Sequence, residues 1–164
     1  MEQNSSFLFV DIDHTLCDAS ERDHLIQYPM SQDDWDLYHS YCHEDKPFIK
    51  TIDVVNGLRD CFDKTILFTS RNEKYRDITE KWLFDHHVSY DDLLMRPSPD
   101  FRKLSPTNLK FGLVMNYLLK NNNPINIDTF EHVIIDDDDN IIQYFQKKGF
   151  LSFKIHNPKL KVDA

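Results

Sequence analysis

Two apolar runs that each end in aspartates constrain this chain more than any other feature. One spans residues 133–139 and reads Val-Ile-Ile followed by four aspartates; the other spans residues 7–13 and reads Phe-Leu-Phe-Val-Asp-Ile-Asp. Short runs of branched and aromatic residues are typical of buried strands. Adjacent carboxylates repel one another, so a fold that gathers them needs a cation or water beside them. Because the carboxyl ends of parallel strands meet at one edge of a sheet, the two runs predict a shared Mg²⁺ site.

The rest of the chain alternates between strand and helix patterns, which predicts an α/β fold with a parallel sheet. Its 164 residues are enough for one domain with a real core. Residues 18–50 are polar, irregular and rich in aromatics, and they leave from the carboxyl edge of the sheet. A long segment there is typical of a lid, so a small cap is predicted. The predicted strands are 7–10, 65–69, 93–95, 131–135 and 150–155, and the predicted helices are 73–87, 107–121 and 141–148.

Net charge and glycine content exclude two classes of function. The formal charge of −9 argues against broad nonspecific binding to nucleic acid, which needs a basic surface. It leaves room for a small phosphorylated substrate or a nucleic-acid end held by a few cations. The chain has three glycines and no GxxxxGK[ST] motif, which excludes a P-loop.

The apolar runs and the cysteines predict a cytoplasmic location. No apolar run approaches the length of a membrane span, so no membrane association is expected. Residues 1–6 have neither a basic nor an apolar region typical of a secretion signal. Cys17, Cys42 and Cys61 are odd in number and form no CxxC pair, which indicates a reducing environment rather than a disulfide framework.

The Asp11-Ile12-Asp13 motif suggests chemistry because residues two apart in an extended segment share a face. Two neighbouring carboxylates can divide the work, one as an ionised nucleophile and the other as a general acid. The alternative is a solvated loop with an Asx turn. The apolar strand before the motif and Thr15-Leu16 after it favour the functional interpretation.

At these positions the chain resembles the haloacid dehalogenase (HAD) superfamily, which consists mostly of Mg²⁺-dependent phosphatases. Residues 11–16 resemble its DxDxT motif, Thr69 its second motif, Lys110 its third, and Asp136-Asp137 its fourth. Their order and spacing agree, and the resemblance spans nearly the whole chain. It implies a Rossmann-type parallel sheet flanked by helices, a single phosphatase domain over 1–164, and a cap at 18–50 inserted after the first strand.

A narrower resemblance is to the phosphatase domain of bacteriophage-type polynucleotide kinase-phosphatases, which remove 3′-phosphates from nucleic-acid ends. It is visible in residues 69–73, in 94–97 and in Asp100 and Arg102, and residues 33–35 and 45–47 resemble the cap of related proteins. The resemblance implies a Mg²⁺-dependent phosphomonoester hydrolase that forms an aspartyl-phosphate. Its expected substrate is a nucleotide or a nucleic-acid 3′-phosphate end; protein partners are left open.

The same resemblance implies roles for individual residues. Asp11 would attack phosphorus, Asp13 would protonate the leaving oxygen and then activate water, and Thr69 would donate a hydrogen bond to the phosphate. Lys110 would offset negative charge, with Lys103 as a competing candidate. Mg²⁺ would be held by Asp11, the backbone carbonyl of Asp13, and Asp136, with Asp137 bound to the ion directly or supporting its ligands, while Asp138 and Asp139 are assigned to the surface or to a helix N-cap. Candidate substrate contacts are Ser70, which could instead only narrow the pocket, and Arg71, Arg96 and Arg102, each of which could instead belong to a surface ion pair.

Several alternatives stay open at this level. The protein could be a non-catalytic module that binds a phosphorylated ligand or a protein partner, or it could transfer phosphate to an acceptor other than water. His14 stands where the family often has glycine, and Ser70 also replaces a usual glycine. His39 and His43 have helical spacing for a metal pair, but polar cap residues are the favoured interpretation. Aromatic residues 35, 38 and 41 could stack a nucleobase or pack the cap onto the core.

Overall fold

The structure is a computed structural model that describes residues 5–98, 104–121 and 129–158. At its centre is a five-stranded sheet in which every neighbouring pair is parallel. Its strands are β1 (Phe7–Val10), β4 (Lys64–Asn72), β5 (Asp92–Arg96), β6 (His132–Asp136) and β7 (Leu151–Lys154). The order is β5–β4–β1–β6–β7, so β1 lies in the middle, and its Val10 is opposite Leu67 and Ile135.

Within the described residues, five α-helices connect the strands or lie in the insertion after β1. They are α1 (Gln32–Ser40), α2 (Ile49–Leu58), α3 (Arg76–Asp85), α4 (Pro106–Lys120) and α5 (Asp139–Lys147). After β5 the chain crosses through α4 to the other side of β1 and continues with β6. The direction of strand addition therefore reverses between β1 and β6, and such a switch point opens a crevice at the carboxyl edge of the sheet.

The core has two halves because successive side chains of a strand point to opposite faces. On one face Leu8 and Val10 pack with apolar residues of α2 and α3. On the other face Phe9 and Phe68 pack with apolar residues of α4 and α5. Both faces of the sheet are thus covered by helices, which explains why the strands read as continuous apolar runs.

The insertion after β1 enters and leaves through a short ribbon. In it, β2 (Cys17–Asp18) pairs antiparallel with β3 (Lys46–Pro47), which brings the two ends of the insertion together. The insertion contains α1, which begins with a capping box formed by Ser31 and Asp34. The predicted α/β class, with a parallel sheet and a small insertion after the first strand, is confirmed. The division into one domain with a cap at 18–50 stays a prediction.

The elements differ from the predicted ones mainly at their ends. The helix predicted at 73–87 starts as a 3₁₀ turn, Glu73–Tyr75, because the Asn72 side chain accepts a hydrogen bond from Lys74 N. The helix carrying Trp35 and Tyr38 ends at Ser40, so it includes neither Tyr41 nor His43. In the described part of the chain, no helix is both long enough and apolar enough to cross a bilayer.

Helix α5 ends as the sequence indicates. Gly149 follows it with φ +87°, in the left-handed region. A Cβ atom at this position would lie 2.5 Å from Thr129 Oγ1. Both the backbone conformation and the close approach of Thr129 therefore require glycine here.

Phe145→Ala is expected to destabilise the fold strongly, because Phe145 is fully buried and its ring lies 5.2 Å from that of Phe150. Removing a buried phenyl ring costs about 3–5 kcal/mol of unfolding free energy. Phe84→Ala is the matched control, since Phe84 is 80% exposed on α3, and it should change stability by less than ~0.5 kcal/mol. Urea unfolding of both variants measures the difference; equal losses would contradict the assigned core.

Candidate active site

Two aspartates face each other where β1 and β6 end. Asp11 follows β1 directly, and its backbone N–H donates to the Ile135 carbonyl at 3.0 Å, which continues the pairing of the two strands. Asp136 is the last residue of β6. The side chains of both aspartates are buried. The strand pairing therefore places the first and fourth predicted motifs together at the switch point.

Lys110 joins the two aspartates. Its Nζ donates to Asp11 Oδ1 and to Asp136 Oδ2, each at 2.7 Å. Lys110 lies near the start of α4, which is capped by the Ser105 hydroxyl accepting from Asn108 N. A buried lysine that bonds two buried carboxylates is part of the site rather than a solvated helix residue. The competing candidate, Lys103, lies outside the described residues.

Asp137 completes a group of three carboxylates. Thr15 Oγ1 lies 3.2 Å from Asp11 Oδ2 and 3.3 Å from Asp137 Oδ1, so one hydroxyl bridges the two side chains. One oxygen from each of Asp11, Asp136 and Asp137 lies within 4.8 Å of the others. This spacing allows the three oxygens to surround one cation.

The charges of this group favour such a cation. Burial raises the pKa of Asp11 well above its usual value; Lys110 opposes the shift, while Asp136 and the other nearby carboxylates add to it. Burial and then Asp136 raise the pKa of Asp137. One lysine therefore does not balance the three carboxylates. A hard divalent ion with oxygen ligands, such as Mg²⁺, fits this donor set.

The Asp13 side chain belongs to a different cluster, which we call the arginine cluster: Asp13, Arg22, Asp45 and Arg71. Arg71 Nη2 lies 2.7 Å from Asp13 Oδ1 and 3.1 Å from Asp45 Oδ2. Arg22 pairs with Asp13 as well, and its Nη2 lies 2.7 Å from Asp45 Oδ2. Both arginines are buried. Asp13 and Asp11 are thus neighbours in sequence with separate ionic partners, and among the described residues no side chain bonds to both carboxylates.

The arginine cluster holds Asp13 in its ionised form. Burial acts to raise the pKa of Asp13, but the attraction of Arg71 and Arg22 outweighs burial and places this pKa well below its usual value. Thr69 Oγ1 adds a contact at 3.4 Å to Asp13 Oδ2 and accepts from Arg71 N at 3.1 Å. A proton on Asp13 would therefore require that at least one guanidinium group move away.

Of the remaining predicted substrate contacts, Ser70 and Arg96 lie next to each other and Arg102 is not described. Ser70 lies in β4 between Thr69 and Arg71, and its buried Oγ has no hydrogen-bond partner among the described residues. Arg96, at the end of β5, donates from Nε to the Ser70 carbonyl at 3.2 Å. Arg102 lies outside the described residues, so its predicted role stays a prediction.

Arg22 and Asp45 are functional candidates to which the sequence motifs assign no role. Both lie in the insertion, and the Asp45 carbonyl also accepts from Trp82 Nε1 at 2.8 Å. One usable signal was that Arg22 is the only arginine between residues 18 and 50. A single arginine in a segment rich in aspartate and glutamate is a candidate partner for carboxylates at the edge of the sheet.

The second half of the aspartate run starts α5, as predicted. Asp138 is the N-cap residue and accepts from Asn140 N at 2.7 Å. Asp139 is exposed, and Lys154 donates to it at 2.7 Å. Asp136 and Asp137 thus belong to the set of three carboxylates that includes Asp11, and the next two aspartates stabilise the N-terminus of α5.

The loop after Asp13 is held from the far end of the chain. His14 has φ +60°, in the left-handed region that favours glycine. Asn157 Nδ2 donates to the carbonyls of His14 and Thr15 at 3.1 and 3.0 Å, and Thr51 Oγ1 donates to Asn157 Oδ1 at 2.7 Å. These bonds stabilise the unusual turn and, with it, the position of Thr15 beside Asp11.

Comparison with solved structures identifies the fold. The chain matches a component of the Pnkp1/Rnl/Hen1 complex with a TM-score of 0.65 and 18% identity, over 94% of this chain and 47% of that chain. It matches a haloacid dehalogenase-like hydrolase from Streptococcus pneumoniae with a TM-score of 0.63 and 18% identity, over 93% and 85% of the two chains. A HAD hydrolase from Bacillus subtilis described as bound to magnesium matches with a TM-score of 0.59 and 15% identity, over 99% and 91%.

These likenesses show a haloacid dehalogenase-like fold, in agreement with the motif resemblance. The chain spans about half the length of the Pnkp1/Rnl/Hen1 component that it matches. No protein-family model matches the sequence. No curated protein matches it either.

Lys110→Met is expected to destabilise the protein by about 3–5 kcal/mol near neutral pH, because Asp11 and Asp136 lose their buried counter-charge. A carboxyl group whose folded-state pKa is raised stabilises the fold at low pH, and this stabilisation is lost as pH rises through the folded pKa. Without Lys110 the pKa of Asp11 rises further, so the deficit should grow from about pH 5 to about pH 8.

Lys154→Met is the control for this variant. It breaks the exposed pair with Asp139 and should cost at most about 1 kcal/mol at either pH. Chemical denaturation in metal-free buffer measures both variants. A Lys110→Met deficit that shrinks as pH rises would contradict the assigned charge balance.

Proposed function

We propose that this protein is a Mg²⁺-dependent phosphomonoester hydrolase that forms an aspartyl-phosphate on Asp11. The observation that carries this proposal is the position of Lys110, at 2.7 Å from both Asp11 and Asp136. A carboxylate that attacks an anionic phosphate must be ionised and held beside fixed positive charge. Lys110 provides that charge, and it leaves Asp11 Oδ2 to its contact with Thr15.

In the proposed first step an oxygen of Asp11 attacks phosphorus, and the bond from phosphorus to the leaving oxygen breaks. Asp13 gives its proton to the leaving oxygen, so the alcohol departs neutral and Asp13 becomes a carboxylate. Thr69, beside Asp13, would donate a hydrogen bond to a phosphate oxygen. The residues mainly position the groups and neutralise charge, which is what phosphoryl transfer requires.

The proton on Asp13 depends on the arginine cluster. In the structure Arg22 and Arg71 favour the ionised form of Asp13. A bound phosphate would compete with Asp13 for both guanidinium groups. The planar arrangement of N–H donors in a guanidinium group matches the oxygens of a phosphate as well as those of a carboxylate. Movement of either arginine toward phosphate would raise the pKa of Asp13 and allow it to act as an acid.

In the second step Asp13 acts as a base. The carboxylate left by the first step takes a proton from water, and the resulting hydroxide attacks phosphorus. The bond between Asp11 and phosphorus breaks, inorganic phosphate leaves, and Asp13 again carries a proton. The ionic partners of Asp13 keep it in the carboxylate form that this step starts from, but they also weaken it as a base, so their movement toward phosphate would serve this half of the cycle as well.

Asp11, Asp136 and Asp137 are the residues that would hold magnesium, and the resemblance adds the backbone carbonyl of Asp13. The spacing of their oxygens and their unbalanced negative charge both fit such an ion. Bound there, magnesium would neutralise charge on the phosphoryl group as it transfers. The similar fold of a hydrolase described as bound to magnesium supports this assignment.

The proposed substrate is a nucleotide or a nucleic-acid end with a 3′-phosphate. The narrower motif resemblance supports it, as does the similar fold of a component of the Pnkp1/Rnl/Hen1 RNA repair complex. The net charge of −9 favours a mononucleotide or a short end over a long duplex. The arginine cluster pairs two arginines with two aspartates, and these arginines are the buried cations that could turn toward a phosphate in an otherwise acidic protein.

Asp11→Asn should reduce phosphate release by at least about 10³-fold, because an amide cannot act as the nucleophile. The measurement is inorganic phosphate released from mononucleotides and a 3′-phosphorylated oligonucleotide in the presence of Mg²⁺. Asp139→Asn, in the exposed part of the aspartate run, is the control and should retain wild-type turnover. Full activity of Asp11→Asn would rule out Asp11 as the nucleophile.

Magnesium with beryllofluoride should raise the melting temperature of the wild type, because beryllofluoride on Asp11 imitates the phosphorylated carboxylate. Asp137→Asn should reduce this shift, and Asp139→Asn should preserve it. This experiment separates the catalyst from a binding module, since a module without a reactive Asp11 would not respond to beryllofluoride. A separate measurement, of phosphorylated alcohol formed when an alcohol is added, would distinguish hydrolysis from transfer of the phosphate to that alcohol.

A further inference from the structure

The turn after Asp13 is held by a side chain that comes from the other end of the chain. Asn157, in the segment after β7, donates from Nδ2 to the His14 carbonyl at 3.1 Å and to the Thr15 carbonyl at 3.0 Å. Its Oδ1 accepts from the Thr51 hydroxyl of α2 at 2.7 Å. Backbone carbonyls only accept hydrogen bonds, so these partners fix which side of the amide faces the turn.

The carbonyls of the turn have separate partners. The Ile12 carbonyl accepts from three backbone N–H groups within the turn, and the Leu16 carbonyl accepts from Phe48 N at 2.8 Å, just before α2. The two carbonyls that precede that of Leu16 are the ones that Asn157 binds. The Asp13 carbonyl comes directly before them, and it is the one that the family resemblance assigns to magnesium.

The backbone of His14 connects the carbonyls that Asn157 binds to the carbonyl of Asp13. Its φ of +60° sets the angle between the peptide group that carries the Asp13 carbonyl and the peptide group that carries the His14 carbonyl. A left-handed φ is unfavourable for a residue with a Cβ atom, so it persists only where surrounding contacts hold it. By holding the second of these peptide groups, Asn157 also fixes the direction of the first.

The bond to the Thr15 carbonyl acts on the carboxylates more directly. Thr15 Oγ1 lies 3.2 Å from Asp11 Oδ2 and 3.3 Å from Asp137 Oδ1. A shift of the Thr15 backbone would therefore carry this hydroxyl away from both carboxylates. Groups that orient the ligands of a metal change its affinity without touching it.

We infer that Asn157 is a positioning residue for the magnesium site, which it supports by fixing the Asp13 carbonyl and the Thr15 hydroxyl. This inference rests on the proposed function, which places magnesium at the ends of β1 and β6, and it adds a residue that no sequence motif includes. Thr51 supports Asn157 in turn, because its hydroxyl holds the amide oxygen. The segment after β7 thereby contributes to the metal site without supplying a ligand.

The test measures the unfolding temperature of each variant as Mg²⁺ is added at constant ionic strength, since an ion that binds only the folded state raises this temperature according to its affinity. Asn157→Ala removes the amide, and Asn157→Asp replaces its NH₂ group with an oxygen that repels both carbonyls. Each should need at least about tenfold more Mg²⁺ than the wild type for the same rise above its own metal-free value. Thr51→Val removes only the supporting hydroxyl and should cause a smaller change.

Phosphate release provides a second measurement. In both Asn157 variants the Mg²⁺ concentration for half-maximal release should rise by a similar factor, whereas turnover at saturating Mg²⁺ should fall less. Asn140→Ala is the matched control, because Asn140 is an exposed asparagine of α5, and it should keep the wild-type Mg²⁺ requirement.

A purely structural role would lower the metal-free unfolding temperature of both Asn157 variants and leave their Mg²⁺ requirement unchanged, and this result would overturn the inference. A wild type that binds Mg²⁺ but releases phosphate from no substrate would overturn the proposed function; the inference about the metal site would stand if the variants still needed more Mg²⁺. A wild type whose unfolding temperature does not respond to Mg²⁺ would overturn both.

Discussion

The ion pairs of Lys110 with Asp11 and Asp136 are the contacts on which the rest of the site depends. Asp11 and Asp136 follow or end the two strands between which strand addition reverses, and Lys110 comes from the helix that crosses between them. Without this cation, two buried carboxylates would face each other across the switch point. The ion pairs with Lys110 offset the repulsion between the two carboxylates at the strand ends, and they also hold the proposed nucleophile beside positive charge. The same contacts therefore support both the stability of the fold and the proposed reaction.

The two aspartates of the first motif have different electrostatic surroundings. Asp11, with a raised pKa, is one of the three carboxylates grouped with Asp136 and Asp137, and it needs cations to remain ionised. Asp13, with a lowered pKa, is held by Arg22 and Arg71 and needs to lose a cation to carry a proton. Environments that push two carboxyl groups in opposite directions are typical of an acid–base pair. In the free protein the two directions are the reverse of those that a nucleophilic Asp11 and an acidic Asp13 need, so a cation beside Asp11 and a phosphate that draws the arginines from Asp13 would have to exchange them.

The insertion supplies charged residues to the candidate site. Through Arg22 and Asp45 it supplies half of the arginine cluster, so its position and the charge of Asp13 are linked. A displacement of the insertion would remove Arg22 from Asp13 and raise the pKa of this carboxyl group. Substrate that fits between the insertion and the sheet would therefore act directly on the proposed general acid. The aromatic contacts of α1 serve this docking, since Tyr38 packs on Arg22.

Local sequence was enough to predict the parallel sheet, the helix starting at Asp138 and Asp139, and the meeting of Asp11 with Asp136. Apolar runs, capping residues and the common edge of parallel strands depend on nearest neighbours and on chain direction, which a sequence displays. The pairing of Asp13 with Arg22 and Arg71 could not be predicted from local sequence. It depends on how an irregular insertion folds back onto the sheet, and contacts between distant segments leave no periodic pattern in a single sequence. The charge state of Asp13 follows from those contacts, because a pKa is set by burial and by neighbours in space rather than in the chain.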